Sequence, residues 1–376
     1  TTLVWQPEDR RFVEGPPLLA ARSGPVAARF ADGAVLVLGT DFDDDLERGT
    51  RAELLVPGAR AWVSAGQTAR LFHPGPVCVS GSRVLIAGGG KSHTGLISEV
   101  FDPEAGAWTA TGAPSTPRYH HTATRLNDGR VLVTGGTASE HGGPTLATAE
   151  VYDPATNTWS PVGALATARV HHTATLLPDG RVLLTGGEDP DEHTLASAEL
   201  FDPATGTFSS AGSLATARQH HTATALADGR VLIAGGEVTY DFDAADAELY
   251  DPATSTWSAT GRPNQPRRYH AATVLPGGQV LFIGGYHESV GILTHSEVYD
   301  PTSGAWSTAL GMVTDRYRHT ATRMASGVVL VVGGLSNHEG TRAELYGVPT
   351  APPPPTVPEP PPSGPETPAP EPETPP

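Results

Sequence analysis

The sequence predicts an all-β fold: a seven-bladed β-propeller of four-stranded blades, its ring closed by an N-terminal strand that completes the last blade. Three observations carry this. An apolar run ending in Gly-Gly recurs at Gly88, Gly135, Gly186, Gly235, Gly284 and Gly333, at spacings of 47, 51, 49, 49 and 49 residues, with a degenerate seventh copy at Leu36 to Thr40 (LVLGT). Units of that length holding four short strands are the size of a propeller blade. Each unit also carries strand and hairpin chemistry, and the two chain ends supply complementary parts of one unit.

Within a unit the order is constant. An Arg-x-x-His leads into a short β-branched run, strand A, as in HHTATLL from His171 to Leu177. A turn such as PDGR (Pro178 to Arg181) follows, and Asp-Gly between apolar runs signals a tight hairpin. Strand B is VLLTGG, whose glycines permit backbone angles or close approaches closed to other residues. A variable loop leads to strand C, as in AELFDP from Ala198, and an Asp-Pro turn leads to strand D at the next Trp or Phe. At the ends, Gln6 to Arg22 aligns without gaps onto Asp202 to Arg218. The N-terminus therefore supplies a D strand around Phe12, from residues 9 to 15, and the last unit stops after strand C at Tyr346. Such an interlock removes the exposed edges of an open array.

Composition agrees and excludes several classes. Gly and Pro number 43 and 36 of 376 residues, too many breakers for a helical bundle or coiled coil. No apolar run exceeds the five residues Val328 to Val332, far short of a membrane-spanning helix. Cys78 is the single cysteine, so neither an intrachain disulfide nor a cysteine-based zinc site is available. A formal charge of −17 argues against a nucleic-acid groove. From Pro349 to Pro376, 15 of 28 residues are Pro, which predicts a polyproline-rich disordered tail behind a propeller at 1–348. The chain begins with Thr, which fits a removed leader or a trimmed start equally. The expectation is an extracellular or cell-surface monomer displayed by its tail.

These residues resemble the kelch family of β-propellers. The Gly-Gly doublets, the AELFDP-like segments and the spaced Trp62, Trp108, Trp159, Trp257 and Trp306, with Phe208 replacing one, carry the likeness over residues 1 to about 347. The fold hosts many activities, so function rests on the site. In such a blade strand A lies nearest the axis and D outermost. The D–A and B–C loops then share one face. Length varies only in B–C, with 11 residues at Asp41 to Arg51, 12 at Thr137 to Thr148 and 8 at Leu335 to Arg342, which makes that face the ligand face.

Two sets of residues stand there. Arg22, Arg70, Arg118, Arg169, Arg218, Arg267 and Arg316 repeat, followed three residues later by His73, His121, His172, His221, His270 and His319, with Pro25 in blade 1. Repetition in nearly every blade predicts a structural role, each Arg/His pair bonding the backbone of a neighbouring blade; the competing reading is a metal- or anion-binding ring. The position before that His differs by blade: Gly24, Phe72, His120, His171, His220, Tyr269 and Arg318. It is the candidate ligand-binding set, suited to a protein or carbohydrate ligand.

A narrower resemblance is to galactose-oxidase-like copper radical oxidases. Phe72-His73-Pro74-Gly75 is similar to their Phe-Cys-Pro-Gly motif, and Tyr269-His270 to their Tyr-His ligand pair. His73 stands in place of the cross-linking Cys, His120 in place of its Tyr partner, and a further His ligand comes from a C-terminal domain without counterpart in these residues. The resemblance implies no radical cofactor, but leaves His73, His120, Tyr269 and His270 as candidate ligands for copper or zinc. The iron motif of nitrile-specifier proteins is approached by Glu237 and Asp241, but its last position is Ala245. Acidic B–C loops (Asp41 to Glu47; Glu188, Asp189, Asp191 and Glu192; Asp241, Asp243 and Asp246) are candidates for calcium, against the simpler reading of solvated loops. Phe42, Tyr240, Phe242 and Tyr286 are loop aromatics able to stack on a sugar or peptide. The leading expectation is a non-catalytic binding module, and the alternative an axial-metal enzyme.

Overall fold

The computed structural model describes residues 11–41, 50–68, 77–80, 82–89, 98–139, 143–239, 242–336 and 343–347. Among these residues the chain forms seven four-stranded antiparallel sheets, each in the order A-B-C-D. The A strands of successive blades adjoin all round the ring, and blade 1 (Arg22–Arg29) adjoins blade 7 (Thr320–Arg323). The A strands therefore line the axis. No helix of the described residues is long and apolar enough to cross a membrane.

The ring closes as the two chain ends predict. Phe12–Glu14 pairs antiparallel with Ala343–Tyr346 as the outer strand of blade 7, Phe12 facing Tyr346 as Phe208 faces Phe201 in blade 4. The Phe12 and Tyr346 ring centroids lie 4.9 Å apart, and Phe12 is buried. The core sits between blades: strands B and C are apolar on both faces, and each cluster joins two neighbours, as in Leu183, Leu200, Val231 and Tyr250 of blades 4 and 5. Sheets packed on both sides read as continuous apolar runs, which is the VLLT pattern of the repeat.

The outer tryptophans add a polar latch to this packing. Trp108, Trp159, Trp257 and Trp306 each donate their indole N–H to a carbonyl of the preceding blade's outer segment, at Ala65, Gly112, Ala211 and Gly261, over 2.6 to 3.0 Å. Trp62 of blade 1 does the same to Pro16, 2.9 Å away, so the closing N-terminal segment is held on both sides. A buried indole that finds its acceptor keeps its apolar benefit without a desolvation cost.

Candidate functional site

Among the described residues, the D–A crossover that enters a blade is fixed by a buried ion pair. Arg22, Arg118, Arg169, Arg218, Arg267 and Arg316 are at most 2% exposed. Each guanidinium donates to the carbonyl of the first glycine of the doublet, or of Gly39 in blade 1, over 2.8 to 3.1 Å. Each also meets a buried glutamate of strand C, from Glu53 to Glu344, at 2.6 to 3.2 Å. The glutamate in turn accepts backbone N–H groups of the crossover, as Glu199 does from Ala166 and Thr167. This corrects the sequence expectation: the arginine side chains bond within their own blade rather than to a neighbour. Repeated charges of both signs in an apolar repeat have to pair when buried, and the Glu of AELFD was the signal that the Arg-x-x-His reading passed over.

Blade-to-blade bonds use other atoms. The Arg main-chain carbonyl accepts from the second glycine of the preceding blade, as Arg169 does from Gly136 and Arg267 from Gly236, over 2.8 to 2.9 Å. The histidine three residues on turns between blades. His172 Nε2 lies 3.1 Å from both Thr122 and Thr134, and His221 Nε2 lies 3.0 and 3.1 Å from Thr173 and Thr185. His270 meets Thr222 at 2.9 Å. Burial, with the neighbouring arginine adding to it, pushes the imidazoles of His121 and His270 down to about 3 and those of His172, His221 and His319 well below the usual value. They are neutral structural groups, and His270 faces the blade interface rather than Tyr269's side of the chain.

The varied position behaves differently. His120, His171, His220, Tyr269 and Arg318 all have φ between 53° and 57°, a left-handed conformation that L-residues rarely adopt. That backbone sends the side chain away from its own blade and toward the axial mouth. Consecutive members are tied by main-chain bonds: His171 N–H to His120, His220 to His171, Tyr269 to His220 and Arg318 to Tyr269, over 2.9 to 3.4 Å. The side chains stack in the same sequence. Ring centroids lie 4.7 Å apart for His120 and His171, 4.1 Å for His171 and His220, and 4.2 Å for His220 and Tyr269. The Arg318 guanidinium then covers the Tyr269 ring at 4.4 Å. His120 and Arg318 are exposed, and the three between them are half-buried. The structure thus brings together five of the predicted ligand-face residues. Phe72 lies outside the described residues, as do Arg70, His73, Phe42, Tyr240, Asp241, the acidic run 42–47 and the tail; Cys78 is in strand A of blade 2, but its side chain is likewise outside them.

The inner imidazoles of this arc are held neutral. Burial first, then repulsion from His120 and Arg318, holds the His171 imidazole at about 3. His220 is pushed down in the same way by burial, His171 and Arg318. Burial raises the Tyr269 phenol, with Arg318 the largest opposing influence. Around the arc, the residue after each repeated Arg bridges to the residue after the glycine doublet, as Arg268 does to Tyr286 and Tyr317 to Leu335. Arg268 gathers part of the acidic loops: Asp243 at 3.1 Å, Glu288 at 2.8 Å and Glu237 at 3.6 Å, with the Tyr286 ring 4.9 Å away. Asp246 pairs with Arg218 at 2.8 Å. In blade 5 these described carboxylates are committed to arginines.

The described donors fit an axial copper poorly. The mouth imidazoles present ring faces to one another instead of nitrogen atoms to a common point. Among the described residues, the set of three or more His, Cys, Asp or Glu side chains with ligating atoms within 4.8 Å of one another is Asp189, Asp191 and His193, on the blade 4 B–C loop. Away from the mouth, a cavity of about 170 Å³ lies between blades 2 and 3 on the opposite side, lined by Arg83, Tyr152 and Asn157 among others. Arg83 is paired there with Asp102, and the Tyr152 hydroxyl donates to Asn157.

Comparison with known proteins agrees with this architecture. Human Kelch-like protein 34 is 29% identical over 125 residues, a match spanning 30% of this chain and 19% of that protein. The chain therefore covers about a fifth of that relative's length. Among solved structures, a fungal alcohol oxidase of the AA5 family in complex with copper superposes with a TM-score of 0.72 at 18% identity, over 92% of this chain and 76% of that one. YjhT superposes with a TM-score of 0.57 at 15% identity, over 88% and 95% of the two chains. At those identities the likeness is one of fold. The family described as the KLHDC2/KLHL20/DRC7 kelch-repeats domain matches residues 120–334, more than half of the sequence, and the chain accordingly belongs to the kelch-repeat β-propellers.

Proposed function

We propose that the chain is a non-catalytic binding module whose ligand, a protein segment or a carbohydrate, sits at the mouth formed by the D–A and B–C loops. One observation carries the reading: five side chains from five successive blades, His120 to Arg318, form a continuous stacked surface that the repeated Arg–Glu and His–Thr bonds of the scaffold do not use. Aromatic and guanidinium groups on a rigid frame are the residue types that dominate recognition surfaces. The human relative's kelch-type name fits an interaction role. Export and display on the Pro-rich tail remain part of the proposal, tested by fractionating cells that express the full chain.

The test compares the wild-type chain with a His120→Ala/His220→Ala/Tyr269→Ala variant on peptide and glycan arrays, with thermal melts alongside. The reading expects ligands whose signal disappears in the variant while the melt is kept. Ligands indifferent to the triple change would place binding elsewhere. Stoichiometric copper, with peroxide released on alcohols, aldehydes or sugars, would replace this reading with the enzymatic one.

A further inference from the structure

We infer that the mouth is built around a carboxylate subsite, in which Arg318 anchors the acid group of a ring-bearing organic acid whose body lies against Tyr269, Tyr317 and His220. The inference rests on the mouth being the ligand site and names the class of ligand. Arg318 is exposed, and no carboxylate pairs with it among the described residues. Neighbouring described arginines are engaged: Arg316 with Glu344, Arg267 with Glu297, and Arg268 with Asp243 and Glu288. A guanidinium without a carboxylate partner among the described residues, in a chain of formal charge −17, is not explained by the scaffold.

Its geometry favours a planar anion. The guanidinium carbon lies 4.4 Å from the Tyr269 centroid and 6.0 Å from that of Tyr317. Contact with these rings and a hydrogen bond to the Tyr269 hydroxyl hold the fork in place, and its remaining N–H groups are left for a ligand. A guanidinium edge matches the two oxygens of a carboxylate. Cation–π contact also strips the group of part of its water, which lowers the cost of pairing it. His171 and His220, further along the arc, are neutral at pH 7 and add no positive charge beside Arg318. Beside it, Tyr269, Tyr317 and Tyr286 have centroids 6.0 to 6.1 Å apart in succession with planes tilted by 55° and 59°, which offers ring edges and faces to an aromatic or sugar ring. A cationic ligand is disfavoured at the Arg318 end, and the Asp243 and Glu288 carboxylates that could receive it are already held by Arg268.

Titration of the full chain with benzoate and glucuronate, against benzyl alcohol and glucose as their uncharged counterparts, tests this by calorimetry or by NMR shifts of the mouth histidines. At least one acid should bind about tenfold or more tighter than its counterpart, the scale of one charge-assisted pair. Arg318→Gln should weaken that acid by about tenfold or more. Arg318→Lys, which keeps the charge and loses the fork, should fall between wild type and Gln. The two acids distinguish an aromatic from a saccharide body. Equal binding of acid and counterpart, unchanged affinity in Arg318→Gln, or no binding of either acid would each overturn the inference. An uncharged ligand that binds and is lost in the His120/His220/Tyr269 variant would sink the carboxylate while keeping the mouth. Ligands insensitive to both sets of variants would sink both readings.

Discussion

Arg169 and His171 stand two residues apart and answer to opposite demands. The Arg169 guanidinium is fully buried and satisfies Gly186, Ser197 and Glu199 at once. Arg169→Ala leaves a buried carboxylate without its counter-charge, which typically costs about 3–5 kcal/mol. Arg218→Ala should do the same in blade 5. Gly235→Ala meets a steric limit in the same staple: a Cβ there would lie 2.5 Å from the Arg267 carbonyl and 2.6 Å from His270, at a φ of +64°, so it should be strongly destabilising too. The rim changes His120→Ala and His220→Ala should instead stay within about 0.5 kcal/mol each, as exposed or half-buried substitutions usually do. Urea melts of the five variants decide it; a rim variant that unfolds while the Arg variants are neutral exchanges the two roles. The contrast was legible in the sequence because repetition marks scaffold and variation marks surface. The direction of the Arg bond was not, since a repeated Arg is compatible with either blade until its Glu partner is placed.

The element that decides whether the ring is a ring is the three-residue strand Phe12–Glu14. Its bonds run beyond the strand: Gly15 N–H to Ala343, Gly347 N–H to Arg11, and Trp62 to Pro16. Without it, Tyr346 and the apolar B and C strands of blade 7 form an open edge, the kind of edge that pairs with other chains. Phe12→Ala should cost about 3–4 kcal/mol, as for a buried aromatic truncated in a core, and deleting residues 1–15 should give a large fall in melting temperature or aggregation seen by light scattering. Deleting 349–376 should leave the melt where it was, because that composition has little to pack. An unchanged melt after the N-terminal deletion defeats the closure argument. This element was readable because its sequence aligns with a complete unit elsewhere in the chain. The B–C loops were not: counting acidic residues in blade 5 left calcium as a candidate beside solvated loops, whereas Asp243 and Asp246 are paired with Arg268 and Arg218, arginines from other loops whose approach no local spacing reveals.

At the scale of the whole molecule, the blades meet over a ring of neutral histidines, and this makes the fold sensitive to acid. His121, His172, His221, His270 and His319 are 6 to 7% exposed, each beside an inter-blade glycine. Their folded values are depressed, to about 3 for His121 and His270, against 6.5 in an unfolded chain. The unfolded chain therefore binds more protons below pH 6.5. Stability is complete above that pH and is lost as pH falls from about 6.5 towards 3. At pH 5 each such histidine contributes up to about 2 kcal/mol of destabilisation. Five of them together reach the order of a domain's entire stability, about 5–15 kcal/mol, unless a blade interface opens to let water in first. The melting temperature should be flat between pH 8 and 7 and fall steeply below pH 6. His319 offers the cleanest single check. The blade before it has Ala271 and Ile283 where others carry threonines, so His319 meets no hydroxyl there. His319→Gln should therefore remove about one proton from the slope of stability against pH below 6 with little loss at pH 8. A melting temperature that holds constant down to pH 4.5 would show that the inter-blade histidines can be protonated in place, and that the ring is not closed to water at these positions.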